Sequence, residues 1–167
     1  MVEADVSAPP SVVWDYLNVP ELRRRSIGSY GMTKSGLTKG RTGVGSIYHC
    51  AHSETTGSDS LIVDWKPFDY MTEDLLGLPL KLTIRATTEL ELTADGGTHI
   101  RWLMAKPTTS VTPMRLLLPL IAPVFKRFFA RAYKVMGSNM QAAIQEDITS
   151  SKLMLAPPAL EPATIMS

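Results

Sequence analysis

The chain has 167 residues, 17 Lys and Arg against 16 Asp and Glu, and a formal net charge of +1. That length suits one domain burying roughly 70% of its unfolded surface, and the balanced charge gives no bulk electrostatic case for nucleic acid or a strongly acidic partner. Cys50 is the single cysteine, so an internal disulfide is excluded and a reducing, cytoplasmic setting is expected.

The opening MVEADVSAPP has neither the basic nor the apolar region of a secretory signal. Residues 3–6 are expected to form a first strand. Ser7 then serves as a helix N-cap, with Pro9 and Pro10 tolerated in the first turn. Val12, Val13, Tyr16 and Leu17 follow helical spacing beside Trp14, and Pro20 ends that helix. PELRRRSI, 20–27, forms a second short helix. Its Arg23, Arg24 and Arg25 are expected on a solvated face, because long basic side chains are rarely buried.

From residue 28 the apolar period changes from 3.6 to 2, with strands expected at 29–35, 44–52, 59–66, 69–76, 81–92 and 98–106. The separators are turn-like, and Ala94-Asp95-Gly96-Gly97 is a hairpin signal because Gly accepts positive φ. The strand before it alternates cleanly. Leu82, Ile84, Ala86, Thr88, Leu90 and Leu92 share one face, and charged or hydroxyl residues share the other. Ile100, Trp102 and Met104 continue the apolar face. One buried and one wet face describe an antiparallel sheet covered on one side.

The cover comes at the end of the chain. From about 119 to 148, Ile121, Phe125, Phe128, Ala132, Val135, Met136, Met140, Ala143 and Ile144 form an apolar stripe. A helix of that length reaches about 40 Å, enough to cross a sheet. Asn139 lies within the stripe, either meeting a ligand or sitting at its watered edge. The apolar run MRLLLPLIAPVF, 114–125, is too short to span a bilayer and holds Arg115, Pro119 and Pro123. The part of 113–134 ahead of the core helix is expected to be a gating loop. Residues 149–167, rich in Ala and Pro toward the end, are read as a disordered tail or linker after a domain of residues 1–148. The order predicts a two-layer α+β fold: a curved antiparallel sheet wrapped around a long C-terminal helix, with two short helices after the first strand. The gap left by sheet curvature is a natural ligand pocket.

That order, with SAPPSVVWDYLNVPE (7–21), GRTGVGSIYHCAH (40–52) and VDWKPFDYMTED (63–74), resembles the START-related superfamily, the helix-grip or polyketide cyclase/dehydrase-like (SRPBCC) proteins. The last two strings resemble a narrower bacterial branch in which such a domain often accompanies regulatory modules. The resemblance covers about residues 3–148. It implies the helix-grip fold and a hydrophobic ligand, and it leaves activity open, since members include carriers, cyclases and receptors.

HCAH, 49–52, admits three readings. His49 and His52 are three apart and face opposite sides of a regular strand, and the third histidine, His99, is remote in sequence. Zinc needs three or four ligands, so no metal site and no cofactor are expected. A strand gives Cys50 no activating dipole, so it reads as a small buried apolar residue. The third reading is a pocket wall. His49, on one face with Ile47 and Ala51, points inward, while Tyr48, Cys50 and His52 point outward or toward an edge. His49 then either meets a ligand oxygen or is satisfied by its neighbours. Asp64 is solvated if Leu61, Val63 and Trp65 face inward; in the reversed register it pairs with His49 as general acid/base and orienter. Glu73 and Asp74 read as surface carboxylates.

Three functions follow as expectations. The first is a binding module for a lipid-, polyketide- or isoprenoid-like molecule, lined by Ile47, His49, Trp65, Ile84, Trp102, Met104, Phe125, Phe128, Met136 and Asn139. The second, implied by the resemblance, is a cyclase/dehydratase-like enzyme with His49, Tyr70 or Asp64 exchanging protons. The third is membrane-surface contact through 113–134, which carries Arg115, Lys126, Arg127, Arg131 and Lys134 and no acid. Composition leaves the oligomeric state open.

Overall fold

A computed structural model describes residues 1–37 and 40–155. The chain runs β1 (Val2–Val6), α1 (Pro10–Asn18), α2 (Pro20–Ile27), β2 (Gly31–Ser35), β3 (Ile47–Ala51), β4 (Gly57–Lys66), β5 (Tyr70–Leu78), β6 (Leu82–Leu92), β7 (Thr98–Met104), β8 (Thr108–Thr109) and α3 (Thr112–Thr149). All pairings are antiparallel. The sheet order is β1-β7-β6-β5-β4-β3-β2, with the short β8 added to β6. This is the expected helix-grip α+β arrangement.

Alternation in β6 and β7 sets the helix-facing side. Leu82, Ile84, Ala86, Leu90, Ile100 and Trp102 are all buried there, while Leu92 at the hairpin end is exposed. The C-terminal half of α3 covers this face through Gly137, Met140, Ala143 and Ile144. Helix and sheet come so close at Gly137 that a Cβ there would lie 2.9 Å from Ala4 Cβ. Glycine is what permits that crossing.

Two local expectations are corrected. Ser7 does not cap α1: Pro9 occupies the N-cap position, Pro10 opens the helix, and the Ser7 amide donates to Gln141 Oε1 at 2.8 Å. The stretch ahead of residue 119 is helix, not loop, because α3 starts at Thr112 and runs through Pro119 and Pro123. Each proline removes one i→i−4 bond, but the carbonyls it frees, on Arg115 and Pro119, belong to exposed residues. At 38 residues, α3 reaches about 57 Å instead of about 40 Å. Beyond it, the amides of Lys152 and Leu153 donate to Asp147 O at 2.9 and 3.0 Å, and Leu153 packs on the core. The remainder of the expected tail, 156–167, lies outside the described residues.

Candidate functional site

The N-terminal half of α3 stands off the sheet. Between them lies a cavity of about 970 Å³, open to solvent. One wall is the α3 face of Phe125, Phe128, Phe129, Ala132, Tyr133 and Met136. The sheet contributes Tyr48, Cys50, Ser60, Glu73, Leu75 and Thr88. Leu17 of α1, with Arg23 and Ile27 of α2, closes the third side, and the β3–β4 and β5–β6 connections form the rim. A second hollow of about 850 Å³ lies beyond Phe125 and Phe129, which line both, and it takes in Ile84 and Met104.

The β3 register is the inverse of the one expected. Tyr48 and Cys50 point inward, and His49 points outward with its side chain 57% exposed. Ile47 shares that outward side. Both faces of IYHCA carry apolar residues, so alternation alone leaves the facing undetermined. Tertiary contacts decide it. The Tyr48 hydroxyl donates to Asn18 O at 2.8 Å at the end of α1, and the Arg23 guanidinium lies 4.3 Å from the Tyr48 ring centroid.

A His–Asp pair does form, with a different acid and on the outer surface. His49 Nδ1 lies 2.7 Å from Asp59 Oδ1, its cross-strand neighbour. Asp64 is exposed and accepts from the Tyr70 hydroxyl at 3.1 Å, again on the outer face. A β-bulge explains the change of side along β4: Ile62 pairs with Glu73 and Asp64 with Thr72, so Val63 is the extra residue. Ser60 and Ile62 are buried before it, and Trp65 packs on the core after it.

Of the expected ligand-lining residues, Phe125, Phe128 and Met136 line the main cavity, and Ile84, Met104 and Phe125 line the second hollow. Ile47, His49, Trp65, Trp102 and Asn139 line neither. Trp65 packs on Trp14 with ring centroids 5.5 Å apart, and Trp102 is fully buried, stacked on Tyr133 at 5.4 Å. Asn139 lies by Gly28, at the C-terminal end of α2.

The polar centre of the cavity is one the sequence reading placed on the surface. Arg23 is 5% exposed and Glu73 7%. Arg23 Nη2 donates to both Glu73 carboxylate oxygens at 2.8 and 2.9 Å, and Nη1 donates to Leu17 O at 2.9 Å. Burial works against the Arg23 charge, but the Glu73 carboxylate outweighs it and raises the arginine's pKa. Burial pushes the Tyr48 phenol up to about 12 and the Tyr133 phenol well above its ordinary value, so both stay neutral donors. Arg23 Nε and Ser60 Oγ are buried without a hydrogen-bond partner among the described residues. The available signal was Glu73 itself, alternating with the inward Met71 and Leu75.

Among the described residues, no group of three or more His, Cys, Asp or Glu side chains is arranged to hold a metal ion. No helix among them is long and apolar enough to cross a membrane.

A curved antiparallel sheet gripping a terminal helix around an open hollow is the helix-grip fold. Solved structures agree. Ara h 8.0201 superposes with a TM-score of 0.61 at 17% identity, over 86% of this chain and 94% of its own. A Mesorhizobium loti protein gives 0.60 at 15% identity, over 87% and 95%. The di-domain ARO/CYC protein StfQ of the steffimycin biosynthetic pathway gives 0.63 at 12% identity, over 88% of this chain and 50% of its own, so the present chain spans about half of StfQ. No protein-family model and no curated protein matches the sequence.

Proposed function

We propose that the protein binds a hydrophobic small molecule in the cavity between the sheet and α3, as a carrier or regulatory module. The observation that carries this is the open volume of about 970 Å³, walled by Phe125, Phe128, Phe129 and Met136. Such a volume suits one ligand of several hundred daltons, with apolar walls for affinity and a few polar groups for orientation. The fold's neighbours, an ARO/CYC protein among them, support this class of ligand at the level of architecture. The cyclase/dehydratase alternative, as built on His49, Tyr70 and Asp64, loses its geometry: all three face away from the cavity, and a general acid or base must lie within hydrogen-bond reach of its substrate. Titration with the neutral fluorophore N-phenyl-1-naphthylamine tests the reading. Saturable emission enhancement is expected, and Ala132→Trp, which places an indole at the cavity wall, is expected to abolish it. Wild-type protein that gives no saturable enhancement refutes the reading.

A second reading concerns the outer side of the same helix. Leu116, Leu120, Val124 and Phe128 recur every four residues and are 82%, 74%, 67% and 65% exposed. Val124 and Phe128 also line the cavity, so the stripe is continuous with its wall. The segment 113–134 holds five cations and no acid. An apolar stripe with cationic flanks suits an anionic bilayer surface, from which a lipophilic ligand would enter the cavity. Co-sedimentation with phosphatidylserine-containing liposomes, weakened by salt and by Leu120→Glu, is expected. Sedimentation indifferent to lipid charge and to salt retires this reading.

A further inference from the structure

We infer that the cavity selects a ligand whose polar end is neutral, a ketone or an alcohol, over one ending in a carboxylate. This deepens the proposed function and rests on it. The inference comes from the charge and hydrogen-bond balance of the buried polar centre. Among the described residues of the lining Arg23 is the only Lys or Arg, and Glu73 already matches that charge by taking Nη2 on both carboxylate oxygens. Asp59, the other acid of the lining, is turned to the outer face and pairs with His49, and His52 lies exposed at the rim with Nε2 2.9 Å from Ser58 Oγ. A carboxylate entering this pocket would therefore be buried with no free counter-charge. Desolvating an unpaired charge costs far more than desolvating a carbonyl or hydroxyl.

The centre does have neutral hydrogen-bonding capacity to spare. Among the described residues Ser60 Oγ and Arg23 Nε have no hydrogen-bond partner; both residues line the cavity, while these two atoms are closed off from it as placed. Ser60 stands directly opposite Tyr48, whose ring carries the Arg23 guanidinium. It is also diagonal to Glu73, since Ser60 pairs with Leu75 and Ile62 with Glu73. Tyr133 brings a phenol to the same cavity from α3, and its raised pKa keeps the proton on oxygen. The Ser60 hydroxyl turns toward the cavity by rotation about one bond, so a ligand carbonyl or hydroxyl oxygen can accept from it and from the Tyr133 phenol, and a hydroxyl can also donate to Ser60 Oγ. Orphaned buried polar groups cost free energy until a ligand supplies their partners, so the site favours an oxygenated end over a plain hydrocarbon as well.

Displacement of N-phenyl-1-naphthylamine from the wild-type protein at pH 7.5 tests this with three probes of equal chain length: 2-dodecanone, 1-dodecanol and dodecanoate, each below its aggregation concentration. The ketone and the alcohol are expected to displace the fluorophore at concentrations at least about tenfold lower than the acid, the minimum set by an unpaired buried charge. Ser60→Ala is expected to weaken the ketone by about fivefold relative to the fluorophore measured on the same variant, the worth of one hydrogen bond. Equal displacement by all three probes, or preference for dodecanoate, overturns the inference and leaves the cavity reading standing. Failure of the fluorophore to bind at all removes both.

Discussion

Removing one partner of the Arg23–Glu73 pair tests the polar centre without any ligand. Glu73→Leu takes away the bidentate acceptor at 2.8 and 2.9 Å and strands a guanidinium that is 5% exposed. Breaking a buried pair in this way costs about 3–5 kcal/mol. The lower end applies here, because Arg23 keeps its bond to Leu17 O and its stack on Tyr48. A loss of about 3 kcal/mol corresponds to a fall in Tm of about 6–12 °C for a domain of this size. The double variant Arg23→Met/Glu73→Leu removes both charges and leaves similar volume. It is expected within about 1 kcal/mol of wild type, or above it. Urea denaturation followed by circular dichroism supplies the four corners of the cycle, and a coupling free energy above about 2 kcal/mol is expected. Additive single effects, each under about 0.5 kcal/mol, would show that the pair is not buried and bonded as described.

Gly137→Ala is expected to lose about 1 kcal/mol in the same denaturation assay. The new Cβ at 2.9 Å from Ala4 and 3.4 Å from Trp102 costs more in overpacking than the helix gains in propensity; a more stable variant contradicts the tight crossing. Asp147 accepts from Arg25 Nη1 at 2.5 Å and from the Tyr16 hydroxyl. Chiefly through the Arg25 hydrogen bond, its carboxyl is held below its ordinary 3.8. A depressed folded value means stability that is full above the unfolded pKa and lost as pH falls through the folded one. Asp147→Asn should therefore cost about 1 kcal/mol at pH 7, the partly exposed Arg25 limiting the loss, and the gap to wild type should narrow as the pH falls below the ordinary carboxylate range; a gap that does not narrow in acid refutes the linkage. His49→Ala and Tyr70→Phe should each leave fluorophore affinity unchanged and stability within about 0.5 kcal/mol, whereas weaker binding in either would return that residue to the site.

The layers of the fold are legible because their signals are local. Alternation over Leu82, Ile84, Ala86 and Leu90 and the stripe through Met140, Ala143 and Ile144 each lie within one element, and each is buried as its pattern requires. The site is less legible because its facing is set from elsewhere in the chain. The inward turn of β3 depends on Asn18 and Arg23 meeting Tyr48. The side that Asp64 takes depends on an inserted Val63 that shifts the β4–β5 register. Arg23 and Glu73 each resemble a surface charge when read alone, and they are buried because they meet across 50 residues of chain. The helix ahead of Pro119 is hidden because a proline there reads as a first helical position, and the sequence does not reveal that the carbonyl it frees, on Arg115, will face water.

Native mass spectrometry of mildly purified protein tests the cavity most directly. The account predicts a wild-type species heavier than the bare chain by one organic molecule of several hundred daltons, released on activation, and an Ala132→Trp variant at bare mass. A wild-type protein found only at bare mass, and still so after incubation with 2-dodecanone or 1-dodecanol, would contradict it.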